Sequence, residues 1–220
     1  MMKKIQIQKS IFSANDKTAA ANRKYLNSLD ICTINVMASP GAGKTSLILK
    51  LLKSLPKKPY KAVIEGDTAS RVDAEKVIKA GYDCVQINTA GGCHLTSSMI
   101  KSSIKELNPK NQGYVFIENI GNLICPSSFD LGESIKMVIS SVPEGDDKPV
   151  KYPSIFSIAD IIVLNKIDYM KSSDFKLSYF LKGIKAVNQR ASVFLVSCKS
   201  NAGIKQLVRA IISLWEHQKP

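Results

Sequence analysis

Ala38-Ser39-Pro40-Gly41-Ala42-Gly43-Lys44-Thr45 joins an apolar run at 31–37 to a segment of helical periodicity at 45–55. A strand that runs into a small-residue loop and then a helix is the setting of a P-loop. Small side chains let successive backbone N–H groups turn inward on phosphate oxygens, at a helix N-terminus whose partial positive charge favours an anion. The candidate phosphate contacts are Gly41, Ala42, Gly43, Lys44, Thr45 and Ser46. Lys44 has the reach for β- and γ-phosphates and the Thr45 hydroxyl suits Mg²⁺. Ala38 stands where the usual pattern opens on glycine; alanine fits there if φ is negative.

On either side of this loop the chain alternates β-rich and helical stretches. A helix is predicted at 14–29, with Ala19, Ala20, Tyr25 and Leu29 among its less polar positions. Downstream, strands are predicted at 60–64, 84–87, 114–117, 137–142, 160–164 and 192–196. Helices are predicted at 69–80 (closed by Gly81), 95–107 (closed by Asn108-Pro109), after 172, and at 204–215. This alternation implies right-handed βαβ units and an α/β, three-layer P-loop NTPase fold with a mostly parallel central sheet. Residues 1–30 read as an N-terminal helical extension and 31–220 as the nucleotide-binding domain.

Asn165-Lys166-Ile167-Asp168 follows the strand at 160–164, at the carboxyl edge where open α/β sheets bind ligands. It has the N-K-x-D form by which a carboxylate accepts the two hydrogen bonds of guanine's N1–H and exocyclic amine. Adenine offers no such donor pair, so a buried Asp168 facing it would lose about 1–3 kcal/mol. Ser197-Cys198-Lys199, at the end of the last strand, suits a companion loop against guanine O6. GTP and GDP are therefore the expected nucleotides.

Acidic residues mark two more strand ends. Glu118-Asn119-Ile120-Gly121 has the shape of a D-x-x-G switch with Glu for Asp. Glu118 is a Mg²⁺ candidate through a water, and the Gly121 N–H a γ-phosphate sensor. In Glu65-Gly66-Asp67-Thr68, Asp67 is a candidate for the Mg²⁺ shell or for orienting the attacking water. Glu65 reads equally as a solvated strand end. Lys44 and Asp67 are the expected catalytic residues; with no arginine finger or glutamine in view, hydrolysis should be slow.

The chain has five cysteines and two histidines. Cys32 and Cys84 sit in apolar runs and read as inert core thiols. His217 lies in a polar tail. Cys93-His94 by itself reads as structural more readily than as ligating, but Cys125 lies just past the switch. If the preceding strands are sheet neighbours, the three side chains converge on a site suited to Zn²⁺ or Ni²⁺.

Composition bounds the rest. In 220 residues, 45% are hydrophobic and 22% charged, as in an ordinary globular domain. No apolar run has membrane-span length. Met1-Met2-Lys3-Lys4 is basic, but no signal-peptide apolar region follows, so a cytoplasmic location is expected. The net charge is +13, yet the lysines are scattered and not interleaved with aromatics. The charge reads as a basic solvated surface, and nucleic acid is not an expected partner.

From residue 31 onward the chain resembles the HypB family of hydrogenase maturation GTPases, the nickel-insertion accessory proteins. The resemblance rests on the P-loop, Glu65-Gly66-Asp67 with Asp73-Ala74, Gly92-Cys93-His94-Leu95, and above all Phe116 through Glu133, FIENIGNLICPSSFDLGE. Ser141 through Pro149 and Lys151-Tyr152-Pro153 add to it. It implies a SIMIBI-class GTPase that forms a homodimer with GTP, and a nickel or zinc site from Cys93, His94 and Cys125. It also implies two partners: a HypA-type nickel metallochaperone and, through it, the large subunit of a nickel–iron hydrogenase. Residues before 31 contain no Cys or His, so an N-terminal nickel store is not expected. Thr96-Ser97-Ser98 replaces an expected Asp-Ala and removes a carboxylate near the metal. The urease accessory GTPase UreG carries Cys-Pro-His, whereas Cys93 and His94 are adjacent. The rival from another class is a basic P-loop module that binds RNA or protein without a metal.

Overall fold

All eight residues of β1 (Ile31–Ala38) are buried, because the strand lies inside a sheet covered on both faces. The structure, a computed structural model, describes residues 7–67 and 70–219, with side chains from Phe12 onward. The other strands are β2 (Tyr60–Asp67), β3 (Asp83–Asn88), β4 (Gly113–Glu118), β5 (Ile135–Ser141), β6 (Ile161–Asn165) and β7 (Ser192–Leu195). They form one seven-stranded sheet in the order β3-β2-β4-β1-β5-β6-β7, and every neighbouring pair is parallel. The chain leaves β1 for β2 on one side and later crosses to β5 on the other. The carboxyl ends around β1 are thus the switch point at which such sheets bind ligands.

The helices are α1 (Ile7–Ser28), α2 (Lys44–Ser54), α3 (Val72–Lys79), α4 (Ser97–Leu107), α5 (Lys148–Lys151), α6 (Pro153–Ser157), α7 (Leu177–Val187) and α8 (Ile204–Gln218). Strand side chains alternate between faces. Cys32, Ile34, Val36 and Ala38 of β1 pack with Leu47 and Leu51 of α2 and Ile211 and Trp215 of α8. On the other face Ile31, Ile64 and Ile117 meet Leu26 of α1 and Ile100 and Ile104 of α4. Beyond them Met37, Val138 and Ile162 meet Phe156 of α6 and Phe180 of α7. No helix among the described residues is long and apolar enough to cross a membrane.

Several expectations change. α1 begins at Ile7, earlier than predicted, and the basic opening Met1-Met2-Lys3-Lys4 lies outside the described residues. Ala19 and Leu26 form its packed face, whereas Tyr25 is 48% exposed. β2 runs three residues past its predicted end because Asp67 pairs with Asn88 of β3. Glu65 therefore lies within the strand and is only 2% exposed, which overturns the solvated strand end. The predicted helix start at Ala69, like Thr68, lies outside the described residues, and α3 runs from Val72. α4 starts at Ser97 because Thr96 caps it, its hydroxyl accepting the Met99 N–H at 3.4 Å. β3 and β4 are not neighbours, since β2 lies between them. Cys32 is fully buried as expected, but Cys84 is half-buried.

Candidate nucleotide and metal site

Gly41 and Gly43 take φ of +80° and +95°, a region closed to most L side chains. A Cβ on Gly43 would also lie 2.7 Å from the Asn165 amide nitrogen. Ala38 ends β1 outside the residues with positive φ, so alanine serves where glycine is usual. Ala42 and Thr45 are buried, Lys44 is half-buried, and Gly41 and Ser46 are exposed. Asn165 and Lys166 brace this loop: the Asn165 Nδ2 donates to the Ala42 carbonyl at 2.9 Å, and the Lys166 Nζ to the Gly41 carbonyl at 2.7 Å. The loop after β6 is thus fastened to the loop after β1.

Ser197 is fully buried and donates its hydroxyl to Asp168 Oδ1 at 2.6 Å, which orients the carboxylate. Asp168 itself is exposed, unlike the buried carboxylate expected from the specificity argument, because it projects from the 3₁₀ segment Ile167–Ser172 after β6. Cys198 is half-buried, with its thiol pushed up by burial, and Lys199 is exposed.

Glu65 and Glu118 are register partners on β2 and β4 and are 2% and 3% exposed. Thr45 donates its hydroxyl to Glu118 Oε1 at 2.8 Å. The second carboxylate oxygen of each glutamate has no hydrogen-bond partner among the described residues. Both glutamates line one cavity of about 390 Å³ with Pro40, Lys44, Asp67 and Gly121. Burial, then the neighbouring Glu118 charge, pushes Glu65 up to about 8. Burial pushes Glu118 up to about 7, opposed by the Thr45 hydrogen bond and the Lys44 charge. Paired buried carboxylates with unfilled oxygens beside a hydroxyl are a donor set for a hard dication, so these residues fit Mg²⁺.

Gly121 lies against the P-loop: a Cβ there would come within 3.0 Å of Pro40 Cγ and 3.1 Å of Pro40 N. The next residue, Asn122, donates its side-chain amide to the Cys93 carbonyl at 3.2 Å. The ligand atoms of Cys93, His94 and Cys125 all lie within 4.8 Å of one another, and Cys93 Sγ is 3.6 Å from His94 Nδ1. Cys93 is exposed while His94 and Cys125 are half-buried. They converge although β3 and β4 are not adjacent, because the loop after β3 crosses the end of β2 and meets the loop after β4 at the Asn122–Cys93 hydrogen bond. Leu95 seats on Gly66, where a Cβ would lie 2.9 Å from its Cδ1. Two thiols and an imidazole suit a borderline metal such as Ni²⁺ or Zn²⁺.

Three features went unread in the sequence. Asn122 carries the contact to Cys93. Phe129 stacks on His94 with ring centroids 3.8 Å apart. Asn119 donates to Asn35, and Asn35 to Glu133, each at 3.2 Å, which ties the switch to the loop after Phe129. The FIENIGNLICPSSFDLGE block contains all but Asn35, Cys93 and His94, and its density of polar residues in an apolar context was the available signal.

A glycine-rich loop between a buried parallel strand and a helix, braced by Asn165 and Lys166 beside a carboxylate-lined cavity, defines a P-loop nucleotide-binding protein. The family model for the CobW/HypB/UreG nucleotide-binding domain matches residues 32–195. Hydrogenase maturation factor HypB of Rhizobium leguminosarum bv. viciae is 41% identical over 201 residues, covering 91% of this chain. The chain spans about two thirds (67%) of that relative's length. The probable hydrogenase maturation factor HypB of Methanocaldococcus jannaschii is 38% identical over 207 residues, 94% of each chain. The crystal structure of HypB from Helicobacter pylori in complex with nickel superposes with a TM-score of 0.86 at 32% identity, covering 94% of this chain and 97% of that one. The chain belongs to the HypB hydrogenase maturation factors of the CobW/HypB/UreG family.

Proposed function

We propose that this protein is a GTP-switched nickel carrier for the maturation of a nickel–iron hydrogenase. The observation that carries the reading is the Asn122–Cys93 hydrogen bond, which joins the residue after the switch glycine to the first residue of the thiol–imidazole cluster. Guanine is read by Asp168, oriented by Ser197, with Asn165, Lys166, Cys198 and Lys199 framing the base. The phosphates lie on the N–H groups of 41–46 with Lys44 against the β- and γ-oxygens. Thr45, Glu118 and Asp67 hold Mg²⁺, with Glu65 beside them; the ion supplies charge neutralisation at the phosphates.

Lys44 stabilises charge on the transferred phosphoryl group, and Asp67 orients the attacking water. Among the described residues no arginine lines the proposed dication cavity, in keeping with slow intrinsic GTP hydrolysis. Nickel is cargo held by Cys93, His94 and Cys125; zinc is the alternative occupant. The nucleotide state moves Gly121, and Asn122 transmits that movement to Cys93. Its partners in this reading are a second copy of the chain when GTP is bound, a HypA-type metallochaperone and, beyond it, the hydrogenase large subunit, in a cytoplasmic setting.

Cys93→Ala is expected to strip nickel from the purified protein and lower hydrogenase activity in cells, with guanine-nucleotide affinity preserved. Unchanged metal content and hydrogenase activity would overturn the carrier role.

A further inference from the structure

The His94 ring does not stand free beside the two thiols. It stacks on Phe129 at a centroid distance of 3.8 Å with the planes inclined by 17°. Phe129 in turn rests against Phe12 of α1, at 5.2 Å and 40°. α1 then fastens the backbone that carries Phe129. Arg23 clamps Asp130 through two hydrogen bonds of 2.7 and 2.8 Å. Asn15 donates to the Asp130 carbonyl at 2.7 Å, and Asn22 to the Leu131 carbonyl at 3.2 Å. The same two asparagines hold the His94 side of the contact. The Ser97 N–H donates to Asn15 Oδ1 at 2.9 Å, and Asn22 donates to the Ser97 carbonyl at 2.8 Å.

Asn15 and Asn22 are 8% and 3% exposed. Buried amides of this kind are costly to leave unpaired, so the clamp on both loops is obligatory while α1 is docked. The stacked ring and its support are thus held from a single helix.

We propose that Phe129 is a positioning residue that fixes the His94 imidazole for metal capture, and that α1 is a second input to the metal site, acting on His94 where Asn122 acts on Cys93. The proposal rests on the reading that Cys93, His94 and Cys125 bind the metal. A free imidazole samples several χ1 and χ2 wells, and that freedom is lost when a metal binds. Stacking removes much of it beforehand, so the ligand set is partly preorganised. The two inputs act on different ligands: Asn122 holds the Cys93 backbone, whereas Phe129 holds the His94 ring. Anything that draws α1 off α4 and the loop at 129–131 frees His94 without touching the P-loop.

The test titrates Ni²⁺ into the full chain and follows the thiolate-to-nickel absorbance, with fluorescent-GDP affinity measured in parallel. Phe129→Leu keeps apolar bulk but removes the planar face. It is expected to weaken nickel binding roughly three- to tenfold, the size of one side chain's lost preorganisation, and to shift the histidine NMR signals of the nickel-free protein. GDP affinity should hold. Phe129→Tyr restores the face and should restore nickel affinity. Phe12→Leu, at the outer end of the stack, should weaken nickel binding in the same direction by less, and serves if Phe129→Leu does not fold.

Wild-type nickel affinity in both leucine variants overturns the proposal. So does an equal loss of nickel and GDP affinity, which marks a general structural role. A Cys93→Ser control that also binds nickel normally overturns the metal-site reading itself, a failure separable from that of Phe129.

Discussion

The side-chain amide of Asn122 donates to the carbonyl oxygen of Cys93 across 3.2 Å. It is a direct bond between the segment that follows Gly121 and the loop that presents the proposed metal ligands Cys93 and His94. Gly121 packs on Pro40 of the phosphate loop, so in the proposed mechanism a shift of the backbone at Gly121 displaces Cys93 relative to Cys125. Asn122→Ala should therefore leave nickel binding with GDP near wild type but abolish its dependence on nucleotide. Equal nickel affinities with GDP and a non-hydrolysable GTP analogue in this variant, against unequal ones in wild type, are the expected readout. A retained difference would show that coupling runs elsewhere.

The Thr45–Glu118 hydrogen bond satisfies one oxygen of a nearly buried carboxylate. Thr45→Ala leaves that oxygen unpaired and removes a proposed dication ligand, at about 1–3 kcal/mol, or about a fivefold or larger loss of Mg²⁺-dependent GTP affinity. Calorimetry with and without Mg²⁺ checks it. An equal loss in both conditions would assign Thr45 to folding alone.

Glu65 and Glu118 give the nucleotide-free protein a distinctive pH dependence. Their folded pKa values of about 8 and about 7 lie above the ordinary 4.5. Between pH 4.5 and 8 the folded chain thus holds protons that the unfolded chain releases, and stability falls as pH rises through that window. Glu65→Gln should remove its share of the slope, so that in EDTA the variant gains Tm over wild type progressively from pH 5 to 8. A Tm difference that stays constant across the range would contradict the buried-pair account.

Asp168 is held by the Ser197 hydroxyl at 2.6 Å. Asp168→Asn replaces one acceptor by a donor, which mismatches guanine and matches the carbonyl that xanthine carries in place of the amine. Binding should turn from GDP towards XDP, with roughly a tenfold or greater loss for GDP. Unaltered preference would remove Asp168 from base reading. Ser197→Ala should produce a smaller GDP loss of about 1 kcal/mol or less, since it only orients the carboxylate.

The phosphate loop was legible because its determinants are local. Gly41 and Gly43 are required by φ, and helix α2 opens directly on Lys44. The seven parallel strands followed from the alternation of elements, but their order did not, since nothing in the spacing puts β2 between β3 and β4. That is why the convergence of Cys93, His94 and Cys125 was anticipated for the wrong reason. Glu65 went unassigned because its burial depends on pairing of β2 with β3 out to Asn88, a tertiary fact. The contact of Phe129 with His94 joins residues far apart in sequence, and no periodicity predicts it. The exposure of Asp168 reflects the left-handed Lys166 at φ 58° that turns the chain out of β6.

Nickel titration of the wild-type protein in two nucleotide states tests the central claim most directly. Affinity and stoichiometry should differ between GDP and a non-hydrolysable GTP analogue. By linkage, nickel should shift the affinity ratio of the two nucleotides by the same factor. Identical nickel affinity in both states would contradict the account, because the cluster beside Asn122 would then have no connection to the switch.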